Sequence, residues 1–186
     1  MPVFFQNFIY NRKLHREFQL REPIRKKHLT RFSEMKSCLV LFDASDEQNC
    51  MIMFSIIKEL QDKDKNIRAV GYVPWKNNPH YCFPKLSFDY LNTKGISFAG
   101  IPKADFIQDI LTLRFDLLLD FTKSVIPGMM YISALTNAGM KIARNRTEDE
   151  FFTNVYDFII DQDGLNERQY FDEIRKYLLQ LNNGKE

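Results

Sequence analysis

An open, mostly parallel α/β sheet with helices on both faces is the fold class this sequence predicts, and three observations predict it. First, "SCLVLFD" (37–43) and "RFDLLLD" (114–120) are continuous apolar runs without polar alternation, as expected of strands covered on both faces. Second, "SCLVLFD" is joined to "NIRAVGYVP" (66–74) by a helical stretch, a β-α-β unit whose parallel crossover is right-handed. Third, strand and helix patterns alternate from there to the C-terminus.

Taken in order, Phe4, Phe8, Leu14 and Phe18 are spaced for one helix face. Pro23 ends or kinks that helix before Ile24 resumes it, so residues 2–32 read as two short helices or a partly ordered arm. After the first strand, Ser45 and Gln48 form a capping box that opens a helix running to about residue 63, with Cys50, Phe54, Ile57 and Leu60 inward. Residues 75–100 have no period and carry proline and glycine, with short extended pieces expected at 86–91 and 96–98. "KADFIQDILTL" (103–113) is a helix through Phe106, Ile107, Ile110 and Leu111. A strand at 115–121 leads to a helix from Pro127 to about Asn137, and Gly139 is placed to stop it in a left-handed residue before a strand at 140–143. Thr147 and Glu150 suggest a second capping box, and "VYDFIID" (155–161) a further strand. The final helix, 166–182, places Tyr170, Phe171, Ile174, Tyr177, Leu178 and Leu181 at i, i+3, i+4 spacing, and Asn183-Gly184 ends it.

The chain has 186 residues, a length for one domain with a substantial core, and its 17 Phe fill that core well. Its longest uncharged run, Ser124 to Met140, is broken by Pro127, Gly128, Ser133, Asn137 and Gly139 and does not encode a membrane span. In "MPVFFQNFIY" the positive charge follows the apolar residues, and no small-residue cleavage site appears, so a secretory signal is not read there. Cys38, Cys50 and Cys82 are odd in number and widely spaced, which suits reduced, buried thiols in a cytoplasmic protein. His80 with Cys82 offers two ligand types without a second pair, so no metal or cofactor is expected.

Charge is distributed unevenly. Residues 1–36 carry nine Lys/Arg against three Asp/Glu, leaving 17 against 21 for residues 37–186. The expected organisation is a basic helical arm (1–36) before one α/β domain (37–186). In the arm, Arg12, Lys13, Arg16, Arg21, Arg25, Lys26, Lys27 and Arg31 alternate with Phe18, Leu20, Ile24, Leu29 and Phe32. Such a stripe neutralises phosphates of a nucleic acid or ribosome, or packs against its own acidic domain or a second subunit in a homodimer. A membrane surface contacted by Phe4, Phe5, Phe8 and Ile9 is the weaker alternative.

The second candidate region is the crevice outside the carboxyl ends of the strands, where open α/β sheets bind ligands. Asp43 and Asp120 end apolar runs there, accompanied by Ser45, Asp46, Thr122 and Lys123. If their strands are neighbours, the two carboxylates could share a proton or a divalent ion; otherwise they terminate strands and cap loops. Neither "DASDEQ" nor "FTKSVIPG" is a glycine-rich phosphate cradle. Ser124 lacks the glycines of a nucleophile elbow, so no catalytic residue is assigned.

The segments "MKSCLVLFDASD", "AVGYVP", "SFAGIPK", "RFDLLLDF", "YISALTNAGMKIA", "VYDFIID" and "YLLQLNN" together resemble a bacterial family of unknown function, found mainly in Bacteroidetes, of short Rossmann-like proteins. That resemblance covers essentially the whole chain and implies a fold without an activity. A local resemblance is to the N-terminal half of heptosyltransferase-type glycosyltransferases, carried by "FDLLLDFTKSVIPGMMYISALTNAGMKIA". Those enzymes hold a nucleotide sugar with a second Rossmann-like half, for which this chain has no room, and Ala143 stands where they have glycine. The resulting expectation is a non-catalytic binding or interaction module. The alternative is a nucleotide- or sugar-nucleotide-related enzyme using the crevice.

Overall fold

The apolar runs at 37–43 and 114–120 become the two central strands of one six-stranded sheet. A computed structural model describes residues 3–61, 64–83, 87–146, 149–161 and 164–180, with side chains from residue 6 onward. The strands are β1 (Ser37–Asp43), β2 (Asn66–Tyr72), β3 (Phe88–Leu91), β4 (Arg114–Asp120), β5 (Asn137–Arg144) and β6 (Phe158–Ile160). Their order is β3-β2-β1-β4-β5-β6, and every neighbouring pair is parallel. The helices are α1 (Val3–Arg21), α2 (Glu47–Gln61), α3 (Ala104–Thr112), α4 (Pro127–Leu135), α5 (Glu150–Val155) and α6 (Glu167–Gln180).

Alternation along each strand sorts the core into two layers. Cys38, Val40 and Phe42 of β1, with Leu117 and Leu119 of β4, pack under α2 and α6. Leu39 and Leu41, with Leu118, face the opposite layer of α1, α3, α4 and α5. Both faces of β1 and β4 are therefore buried, which is why their sequences show no polar alternation.

Several local expectations change in position. The N-terminal segment forms one 19-residue helix, and Pro23 falls in a 3-10 turn, Glu22–Ile24, that follows it. At the start of α2 the cap is Asp46, whose Oδ1 accepts the Asn49 N–H at 2.7 Å, one residue after the expected Ser45. The extended piece at 86–91 supplies the edge strand β3, while that at 96–98 gives an isolated bridge from Ile96 to Pro102. Asp149 caps α5 through the Phe152 N–H; Thr147 lies outside the described residues, as do Leu181 and Asn183-Gly184. Gly139 ends no helix: α4 stops at Leu135 and Gly139 is inside β5, without a positive φ. A Cβ there would fall 1.9 Å from the His28 ring, so the glycine makes room for the segment after α1 to cross β5.

That crossing segment and α1 are bound closely to the sheet layers. Leu14 is buried, the Tyr10 hydroxyl donates to the Pro127 carbonyl at 2.7 Å, and the Tyr131 hydroxyl donates to Glu17 at 2.6 Å. The His28 N–H donates to the Gly139 carbonyl at 3.0 Å, and the Thr30 hydroxyl to the Asp116 carbonyl at 3.1 Å.

Candidate functional site

Strand order reverses between β1 and β4, which brings the carboxyl ends of these two strands side by side with Leu41 opposite Asp120. Asp43, Ser45, Asp46, Asp120, Thr122 and Lys123 all lie at this end. Their carboxylates serve separate loops. Asp43 Oδ1 accepts the Ser45 N–H at 2.9 Å, closing a turn, and its carbonyl accepts Asn49 Nδ2 at 2.7 Å. Asp46 caps α2, and the Ser45 carbonyl accepts the Tyr81 hydroxyl at 3.3 Å.

Asp120 has no exposed surface and accepts five hydrogen bonds. Oδ1 takes the Thr122 N–H at 3.0 Å and hydroxyl at 2.7 Å. Oδ2 takes Arg146 Nη2 at 2.7 Å, the Tyr156 hydroxyl at 2.5 Å and the Ser133 hydroxyl at 3.2 Å. Burial opposes the carboxylate, but the Arg146 charge and these donors outweigh it and hold Asp120 below the ordinary carboxylate range. Burial and the Asp120 charge push Tyr156 in the other direction, so the phenol stays protonated and donates. Asp120 is thus the fully engaged centre of a buried network, with no lone pair directed at solvent.

Lys123 is exposed and pairs with the buried Glu167 at the start of α6 at 2.8 Å. Between these polar loops the Phe121 ring meets Tyr170 edge-on at 5.3 Å and tilts against Phe171 at 6.5 Å. Phe121, Tyr170 and Phe171 therefore pack beside the β1–β4 reversal, and the candidate carboxylates are committed to loop, cap and ion pair. Among the described residues no three His, Cys, Asp or Glu side chains group as a metal site. Cys38, Cys50 and Cys82 are free and buried, and burial raises all three thiols above their usual range.

The eight arm cations divide by partner. Arg25 is drawn inside: its guanidinium holds both Asp157 oxygens at 2.7 and 2.8 Å, both Glu22 oxygens, and the Ala138 carbonyl at 3.1 Å. With a side chain only 2% exposed, it is unavailable to an external anion. Lys27 joins the same pair of carboxylates, Arg31 pairs with Glu34, and Lys13 lies 3.8 Å from Glu17. Arg21 reaches the Leu111 and Leu135 carbonyls at the C-terminal ends of α3 and α4, where a cation complements the helix dipoles. Arg12 and Arg16, one turn apart on α1, and Lys26 are exposed and have no carboxylate partner among the described residues. Phe8 lies one turn before Arg12 and is half exposed, and Leu20 one turn after Arg16 is more so.

Sequence reasoning did not find Arg144, Arg146, Tyr156 or Lys141. "ARNR" directly after an apolar run was the available signal for the first two, because cations at one strand end answer a carboxylate at the neighbouring end; Asp120 pairs in register with Ala143. Lys141 is fully buried in β5 and donates to the Ala134 carbonyl at 3.1 Å. Burial, with Arg25 next, lowers its pKa to about 7, against the smaller pull of Glu22 and Asp157.

Strand order 3-2-1-4-5-6, uniform parallel pairing and helices on both faces define a Rossmann-like doubly wound α/β protein. The chain belongs to a family of unknown function (DUF6913), whose pattern spans residues 6–181. No curated protein and no solved structure matches it.

Proposed function

We propose that this is a cytoplasmic, bacterial, non-catalytic binding module that contacts RNA or a ribonucleoprotein through the outward ridge of α1. The observation that carries this reading is the pair Arg12 and Arg16, without a carboxylate partner among the described residues, one turn apart beside half-exposed Phe8 on a helix fixed by Leu14, Tyr10 and Glu17. Two fixed cations suit adjacent phosphates, and an exposed aromatic at the same ridge suits base stacking. Engagement of every crevice carboxylate in a loop, a cap or an ion pair weighs against the enzyme alternative.

The test is RNA binding by fluorescence anisotropy at two salt concentrations, with wild type compared with Arg12→Glu/Arg16→Glu. A truncation of the arm is unsuitable, since it would strip Leu14 and Arg25 from the core. Wild type is expected to bind more weakly at higher salt, and the double variant to lose roughly 1–2 units of the log–log salt slope, about 0.7 per phosphate contact on a single strand. Equal binding by the two proteins, or binding only to anionic vesicles, overturns the RNA reading.

A further inference from the structure

At the carboxyl ends of β4 and β5, three buried side chains keep polar atoms unpaired: Arg144 and Tyr170 on the side covered by α6, and Arg146, whose guanidinium lies against Phe152 and Tyr156 of the opposite layer. Arg144, 6% exposed, uses Nη1 on the Leu165 carbonyl at 3.1 Å, while its Nε and Nη2 have no partner among the described residues. Its guanidinium stacks on the Tyr170 ring at 4.5 Å, and the buried Tyr170 hydroxyl is unpartnered as well. Arg146 spends Nη1 on the Thr122 carbonyl and Nη2 on Asp120 and Tyr156, which leaves its Nε.

Two features of this group point to one chemistry. Nε and Nη2 form the edge of a guanidinium that grips two oxygens of a carboxylate or phosphate at once. The unpartnered atoms of Arg144 and Tyr170 all donate, two N–H groups and a hydroxyl, while the neighbouring Glu167 Oε1, which accepts no hydrogen bond, is held in an ion pair 2.8 Å from Lys123. Charge agrees with this: among the described residues Glu167 is paired with Lys123 and Asp120 with Arg146, and Arg144 makes no ion pair. An unpartnered buried guanidinium edge is costly, and an acceptor-only anion offsets both its charge and its donors.

We propose that Arg144 and Tyr170 form a binding site for a small oxyanion, a phosphate or carboxylate group, gripped side-on by the Nε–Nη2 edge of Arg144. Lys123, exposed and paired with Glu167, adds a cation at the same end of the sheet. This site is separate from the α1 ridge, and neither reading depends on the other.

The experiment is a thermal-unfolding titration of the full chain at constant ionic strength with sodium phosphate, with sodium acetate and with sodium chloride. Isothermal calorimetry supplies the stoichiometry. Three variants accompany wild type: Tyr170→Phe, Arg144→Lys and Arg12→Glu/Arg16→Glu. The expected result is one site, and a Tm rise of about 5–10 °C at an anion concentration a hundredfold above Kd. Phosphate or acetate is expected to be effective where chloride is not, and the arm in which the rise occurs identifies the group.

Tyr170→Phe deletes only an unpartnered hydroxyl. It should fold, match or exceed wild type in Tm without anion, and bind several-fold more weakly. Arg144→Lys keeps the charge but loses the two-donor edge, and should weaken binding at least tenfold. The Arg12→Glu/Arg16→Glu protein should retain the full shift. Absence of a phosphate or acetate shift in wild type overturns the proposal. So does a shift that survives Tyr170→Phe and Arg144→Lys unchanged, or one abolished by Arg12→Glu/Arg16→Glu.

Discussion

Asparagine at position 120 removes one charge and reverses one end of an acceptor, at a side chain with no exposed surface. The Arg146 guanidinium, 2% exposed, loses its counter-ion while still desolvated. Breaking a buried pair from one side costs about 3–5 kcal/mol. A second loss comes from geometry. Whichever position the new NH2 takes, it meets a donor: the Thr122 N–H on the Oδ1 side or Arg146 on the Oδ2 side. That adds roughly 1 kcal/mol, for a total near 4–6 kcal/mol. In a chain of this length each kcal/mol shifts Tm by about 2–4 °C, so a fall of roughly 8–24 °C is expected.

Urea unfolding of Asp120→Asn, Arg146→Met and the double variant measures both the loss and its source. The double variant should be less destabilised than the sum of the singles, by about 1–3 kcal/mol of coupling. The pH dependence has a definite sign. Asp120 titrates below the ordinary range when folded, so its contribution is complete above about pH 4, the unfolded value, and is lost as pH falls through the folded value. The variant should therefore show a shallower loss of stability on acidification. A loss under 1 kcal/mol, or additivity of the two singles, would refute the keystone role derived for Asp120. It would restore the simpler expectation that this aspartate merely terminates a strand and is replaceable without cost.

Two further outcomes test the N-terminal segment and the buried lysine. Leu14→Ala, which empties a buried site between α1 and its neighbours, should cost about 2–5 kcal/mol in urea unfolding; a change below 0.5 kcal/mol would mean that α1 is not packed as described. Lys141 binds its proton less readily when folded, at about pH 7, than in the unfolded chain near 10.4. The unfolded state therefore holds more protons between those values, and stability should rise with pH from about 7 upward. Lys141→Met should flatten the rise in Tm between pH 6 and 8.5 and exceed wild type in Tm at pH 6. A parallel profile for the two proteins would contradict the burial of this amine.

Fold class was legible because its signals are local. Continuous apolar runs mark strands buried on both faces, and the 3.6-residue spacing of Tyr170, Phe171, Ile174 and Leu178 marks a helix lying on them. The β3 strand was only half visible, since Phe88–Leu91 is short and follows an aperiodic stretch; its place at the edge comes from pairing with β2. Caps slipped by one residue at α2 because neighbouring Ser45 and Asp46 both suit the role, and backbone direction chooses between them.

Partner choice could not be read from the chain. Arg25 looks like one more cation in a basic run until the fold sets it against Asp157, 132 residues away. Asp120 looks like a strand end until β4–β5 register carries Arg146 to it and α5 delivers Tyr156. The sequence by itself determined the sheet, the helices and the basic bias of the N-terminus, through hydrophobic pattern and composition. Only the tertiary structure decided which charges are spent inside and which, such as Arg12, Arg16 and the Nε–Nη2 edge of Arg144, have no partner among the described residues. An ion pair is a contact between distant segments, and burial sets its cost; neither is a property of local sequence.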